Sequence, residues 1–198
     1  SSLLGAGFQT RTIGSLVKKQ ALKASEPPIF TSGSLKPADF DLNTMQKQAV
    51  DTINAHNHFQ VFLLHGVTNS GKTEVYFQSM APYLKAGKQI LYLVPEIGLT
   101  PQTISRMQQR MIAPIVTFHS QMNPRQKAIA WLQASKQQAA VILGTRSALF
   151  TPMPQLGLII LDEEHDHSFK QQSQLRYSAR DVAVKYAKML DCLIVAYV

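Results

Sequence analysis

Gly66, Gly71, Lys72 and Thr73 stand in the pattern G-x-x-x-x-G-K-[ST], inside the stretch LHGVTNSGKTEVY. Glycines at both ends of such a loop let main-chain N–H groups close on an anion, and a helix start behind them adds its positive dipole end. Gly66, Val67, Thr68, Asn69, Ser70 and Gly71 would then wrap a polyphosphate with backbone amides. The ammonium of Lys72 would reach the β- and γ-phosphates, and the hydroxyl of Thr73 would ligate Mg²⁺. A second group of chemically capable residues lies downstream in LGLIILDEEH, where Asp162 directly follows an apolar run. Asp162 is placed to hold the Mg²⁺ shell, and Glu163 to orient or deprotonate an attacking water. Lys72, Asp162 and Glu163 are therefore the candidate catalytic groups of a nucleoside-triphosphate hydrolase. The plain alternatives are a glycine-rich turn and a solvated acidic loop. The strand-like run before each motif argues against both. His165 lacks neighbouring His or Cys residues at zinc-ligand spacing, and reads instead as a relay of nucleotide state.

Groups like these need a rigid frame. Apolar runs at 61–65, 90–94, 115–119, 140–144, 156–161 and 192–198 alternate with longer segments of helical character. That alternation predicts an α/β fold with a mostly parallel sheet flanked by helices. Thr100 before Pro101, Asn123 before Pro124, and Ser178 three residues before Asp181 read as helix N-caps. Residues 26–40 concentrate Pro, Ser and Gly and read as a linker into a domain spanning 41–198. Residues 1–25 read as the remnant of a neighbouring domain. The sequence has no internal repeat.

Composition narrows the classes. The 198 residues carry 20 Lys and Arg against 12 Asp and Glu, a net charge of +8, which attracts polyanions such as nucleic acid or an anionic membrane surface and does not by itself choose between them. No apolar segment is long enough to cross a membrane as a helix. The single cysteine, Cys192, excludes an internal disulfide or a cysteine-rich zinc site, consistent with a reducing compartment, and it reads as buried strand filler.

The motifs GVTNSGKTEVY, LVPEIGLTPQ, FHS, GTRSALFTP, LGLIILDEEHD followed by SFKQQ, and RYSARDVA, in that order over residues 42–190, resemble the PriA family of replication-restart DNA helicases in superfamily 2. The resemblance implies an ATP- and Mg²⁺-dependent 3′-to-5′ DNA helicase acting at forks. It also implies that 41–198 is the first RecA-like P-loop NTPase lobe and that 1–25 ends a winged-helix domain. Gln46, in LNTMQKQAV, would recognise adenine. Thr100, His119, Ser120, Thr145 and Arg146 fall in segments that contact the DNA strand. In HSFKQQSQLRYSAR, Lys170, Arg176 and Arg180 would meet phosphates while Phe169 and Tyr177 stack on bases or pack the loop.

Further implications are partnership with single-strand binding protein and other primosome proteins, a monomeric state, and a bacterial cytoplasmic location. Asn69 stands where the family usually has glycine. The family pattern continues into a GSAT motif, a second lobe and zinc-binding cysteines, none of which these residues carry. Weak nucleotide binding and negligible hydrolysis are therefore expected of this chain alone. Two other readings stay open: a nucleic-acid binding module with a vestigial NTP site, and a P-loop NTPase with a different substrate.

Overall fold

The computed structural model describes residues 28–38, 41–66, 71–172 and 176–198. In chain order its elements are β1 (Ser34–Leu35), α1 (Thr44–Asn54), β2 (Val61–Leu64), α2 (Lys72–Lys85), β3 (Gln89–Leu93), α3 (Pro101–Arg110), β4 (Met111–Ile112), β5 (Ile115–Phe118), α4 (Pro124–Ser135), β6 (Val141–Gly144), β7 (Leu156–Leu161), β8 (Lys170–Gln171), β9 (Tyr177–Ser178), α5 (Ala179–Met189) and β10 (Leu193–Tyr197). Each of the six apolar runs becomes a strand. They join in one sheet ordered β2-β10-β7-β3-β6-β5, and every pairing is parallel. The α/β expectation holds. The three expected caps hold as well: Thr100, Asn123 and Ser178 each accept a hydrogen bond from the amide three residues on.

Aliphatic residues at consecutive strand positions imply cover on both faces, and the strands supply two cores by alternation. Ile90, Tyr92, Leu158, Ile160, Leu193 and Val195 share one core with Val75, Met80 and Leu84 of α2. Leu91, Leu93, Ile159, Leu161 and Ile194 share the other with Ala179, Ala183 and Ala187 of α5. The alanine stripe lets α5 lie close to the sheet. On the opposite face, α2 carries Pro82 in its interior, so the carbonyl of Gln78 loses its usual helical donor. The Nδ2 of Asn54 donates to that carbonyl at 3.4 Å, fastening α1 to α2.

The segment 26–40, read as a linker, is in its described part bound to the lobe. Phe30 is buried in the core, β1 pairs antiparallel with β4, and the Gly33 amide donates to the Leu84 carbonyl at 2.8 Å. Turn-rich composition hid these contacts, because a single aromatic anchor leaves no periodic signal. Residues 1–25 lie outside the described residues. Cys192 is buried as expected, and desolvation pushes its thiol up to about 11. Among the described residues, no helix is long and apolar enough to cross a membrane.

Candidate nucleotide site and nucleic-acid groove

In a parallel sheet the C-terminal strand ends share one edge, and the segments that leave them line a crevice. Here β2 runs into Gly66, β7 into Asp162, β6 into Thr145 and β5 into His119.

The helix behind the phosphate loop begins at Lys72, with Gly71 before it in the left-handed region at φ 76°. Among the described residues no side chain caps this start, whose amides suit an anion. The conformation at Gly71 favours glycine, and a Cβ there would stand 2.5 Å from the movable Nε2 end of Gln46. Gln46 thereby lies against the loop. It also forms a capping box with Asn43, each side chain accepting from the other's amide at 2.8 and 2.9 Å. Lys72 Nζ donates to the carbonyls of Gly66 at 2.8 Å and Val198 at 3.0 Å. Val67, Thr68, Asn69 and Ser70 lie outside the described residues.

Asp162 continues the ladder past β7, its amide donating to Leu93 O at 2.9 Å. Its two carboxylate oxygens accept from two phenols: Tyr76 to Oδ1 at 2.7 Å and Tyr92 to Oδ2 at 2.9 Å. Both tyrosines are buried. Desolvation, with the neighbouring carboxylate adding to it, pushes both phenols far above their ordinary value, so they remain protonated donors. Sequence reasoning missed this pair. The available signal was a hydroxyl inside the otherwise aliphatic ILYLV strand, since a buried tyrosine hydroxyl needs a partner. Thr73 lines the same pocket as Asp162, Tyr76 and Tyr92, with Arg106 of α3 also facing it. A hydroxyl and a carboxylate suit Mg²⁺, which takes one or two protein oxygens beside phosphate and water.

Glu163 is exposed on a left-handed backbone at φ 50°. Beside it Glu164 is tied down: its amide donates to Tyr197 O at 2.8 Å and its carboxylate meets Arg180 at 3.1 Å. Arg180 also bonds Asp181 at 3.2 Å, so its first partners are intramolecular. His165 is exposed. A further missed pair joins α2 to α3: buried Glu74 forms an ion pair with Arg110, whose guanidinium also lies 5.6 Å from the Phe77 ring centre.

Six of the nucleic-acid candidates line two adjoining grooves, and Thr100 and His119 line neither. Ser120, Thr145, Arg146 and Tyr177 line one groove with Glu96, and Tyr177 continues into a second with Lys170 and Arg176. Arg146 donates to the carbonyls of Ser168 at 2.9 Å and Lys170 at 3.0 Å, and its other arm faces Glu96 at 3.7 Å. Its guanidinium thus holds the following segment in place before any ligand arrives. Thr145 is buried, and Tyr177 is half-buried with its ring edge-on to Phe150 at 5.4 Å. Thr100 serves as the α3 N-cap, and the His119 amide meets Met122 Sδ at 3.4 Å. Of the two readings open for Phe169, packing holds: at 2% exposure it sits in the core shared with α5 and offers no face to a base.

The chain is 51% identical over 150 residues to the replication restart protein PriA of Haemophilus influenzae, covering 76% of this chain and 20% of that protein. It is 44% identical over 186 residues to the PriA of Synechocystis, covering 91% and 22%. It therefore spans about a fifth of the length of these relatives. Its fold is similar to that of RecG solved on a three-way DNA junction, with a TM-score of 0.55, 22% identity, and coverage of 92% of this chain and 22% of that one. The sheet is that of a RecA-like lobe. The DEAD/DEAH box helicase profile matches residues 43–194, most of the chain, and the chain belongs to that family.

Proposed function

We propose that this chain binds ATP with Mg²⁺, and single-stranded DNA, as the first lobe of a 3′-to-5′ DNA helicase of replication restart. The observation that carries the reading is the meeting of Lys72, Thr73 and Asp162 at one sheet edge, with Gln46 held against Gly71. On nucleotide binding, Lys72 exchanges the neutral carbonyls of Gly66 and Val198 for charged phosphate oxygens, which make stronger hydrogen bonds. Thr73 and Asp162 would hold Mg²⁺, which neutralises charge between the β- and γ-phosphates when bound. Glu163, exposed beside them, orients or deprotonates the attacking water. Gln46 presents an amide to the base edge. Arg146, Lys170 and Arg176 grip phosphates whatever the sequence, Thr100, His119, Ser120 and Thr145 add polar contacts, and Tyr177 offers a stacking edge.

On this reading the chain alone hydrolyses ATP slowly. By the resemblance, the second lobe supplies an arginine whose counterpart in dissected systems contributes on the order of 10³ to 10⁵ in rate. The whole protein works as a monomer at forked and single-stranded DNA in the bacterial cytoplasm, with single-strand binding protein and primosome proteins as partners, and zinc belongs to parts of it outside these residues. The test is a titration with a fluorescent ADP analogue and Mg²⁺: the chain binds, and Lys72→Ala lowers the affinity on the order of a hundredfold. Turnover by this chain at the rate of an intact helicase would overturn the slow-hydrolysis part.

One observation favours a second reading, a nucleic-acid module with a vestigial site. Both observed bonds of Lys72 are already made within the protein. DNA affinity indifferent to Mg²⁺-ATP, in a chain that ignores the ADP analogue, would select it.

A further inference from the structure

Tyr76 approaches Asp162 from the phosphate-loop helix and Tyr92 from the neighbouring strand, and each hydroxyl takes a different carboxylate oxygen. The terminal torsion of an aspartate is broad, so a lone carboxylate at a strand end would sample many orientations. Two donors on opposite oxygens remove that freedom, because any rotation weakens both bonds. The donors are themselves fixed. The Tyr76 ring centre lies 3.7 Å from that of Tyr197 and 5.9 Å from that of Tyr92, and all three side chains are buried. A carboxylate has about four lone-pair sites, so two hydroxyls leave room for a cation or its waters.

We infer that Tyr76 and Tyr92 are positioning residues, whose paired hydroxyls hold the Asp162 carboxylate in the orientation that receives Mg²⁺ beside Thr73. This rests on the nucleotide reading and adds to it a part of the metal site supplied by groups that do not touch the metal. The rival account is that the carboxylate merely satisfies two buried hydroxyls. In that case, losing a hydroxyl alters stability and leaves the metal unaffected.

The experiment uses Tyr76→Phe, Tyr92→Phe and the double variant, with Tyr197→Phe as a control that removes a hydroxyl from the same ring cluster without touching Asp162. Binding of a fluorescent ADP analogue is followed as Mg²⁺ is varied, and again in EDTA, with thermal midpoints recorded alongside. Losing an orienting partner of a metal ligand typically costs about 10- to 100-fold in metal affinity. The Mg²⁺ midpoint is therefore expected to rise about tenfold in each single variant and further in the double, while affinity in EDTA and the Tyr197→Phe midpoint stay put. An unshifted midpoint in the double variant, with thermal stability lowered or not, overturns the inference and leaves the nucleotide reading intact. A wild-type chain that binds the analogue without regard to Mg²⁺ overturns both. Should Tyr92→Phe fail to fold, Tyr76→Phe decides by the same shift.

Discussion

Along one edge of the sheet, the half built on β2, β10 and β7 and the half built on β6 and β5 hold their polar groups by different means. In the first half, Asp162 is clamped by two buried phenols, and Lys72 by two carbonyls with partial burial. In the second, Lys170, Arg176 and Tyr177 stand on short, partly exposed segments, and Arg146 anchors them by reaching for the carbonyls of Ser168 and Lys170. Charges in a dry setting interact strongly and are little screened, whereas exposed ones are weakened by salt. The first arrangement suits a site that must present one geometry to one small ligand. The second suits a surface that must grip and release a polymer whatever its sequence. The two halves share a connection, because the chain leaving Asp162 reaches the carbonyls held by Arg146 within eight residues.

The largest expected effect separates the halves. Lys72→Ala removes a charge-assisted contact worth about 3 kcal/mol, or on the order of a hundredfold in nucleotide affinity, while DNA binding without nucleotide is unchanged. Parallel titrations with the ADP analogue and with single-stranded DNA check this, and joint loss would show that the halves are one site. Arg146→Ala comes next. It leaves two carbonyls without their donor, about 1 kcal/mol each, and removes one phosphate partner. Faster hydrogen exchange over 167–172 is expected, with a salt dependence of single-strand binding shallower by about 0.7 in the log–log slope. Arg146→Lys does not restore both bonds, because an ammonium lacks the planar fork. Tyr177→Ala is expected to cost about 1–2 kcal/mol in single-strand binding with little salt dependence, as stacking does, and Tyr177→Phe to cost little. A steep salt dependence of the Tyr177 effect would mean that its role is to hold Arg176 rather than to stack.

The same contrast explains what the sequence allowed to be read. Strand runs, N-caps and the G-x-x-x-x-G-K-[ST] and DEEH motifs are local: each is complete within a few residues and has one structural solution. Tyr76, Tyr92 and Asp162 come from three separated segments, and it takes both the register of β3 against β7 and the packing of α2 on the sheet to bring them together. Glu74 and Arg110 meet through the packing of α2 on α3, which no spacing rule encodes. Next to Lys170 and in a polar stretch, Phe169 left stacking and packing both open in the sequence, and only the fold, which buries it with the alanine stripe of α5, decides for packing. Residues 28–38 show the same limit, since Phe30 is one anchor in a polar stretch.

The smallest expected effect concerns the joint between the halves. Asp166 caps the turn over His167–Phe169, accepting from the Ser168 amide at 2.7 Å, and that bond holds its carboxyl below the ordinary value. A folded-state value below the unfolded one means that the contribution is fully present above the unfolded value of about 3.9 and is lost as pH falls through the lower folded value. Opening of residues 166–170 should therefore rise only below about pH 4, visible as a change in amide exchange confined to that stretch. Asp166→Asn keeps an oxygen for Ser168 and does not titrate, so it should flatten the response while leaving nucleotide binding near neutrality unchanged. If acid instead loosened the Lys72 end first, with Asp166→Asn making no difference, the phosphate-loop half would be the less rigid of the two.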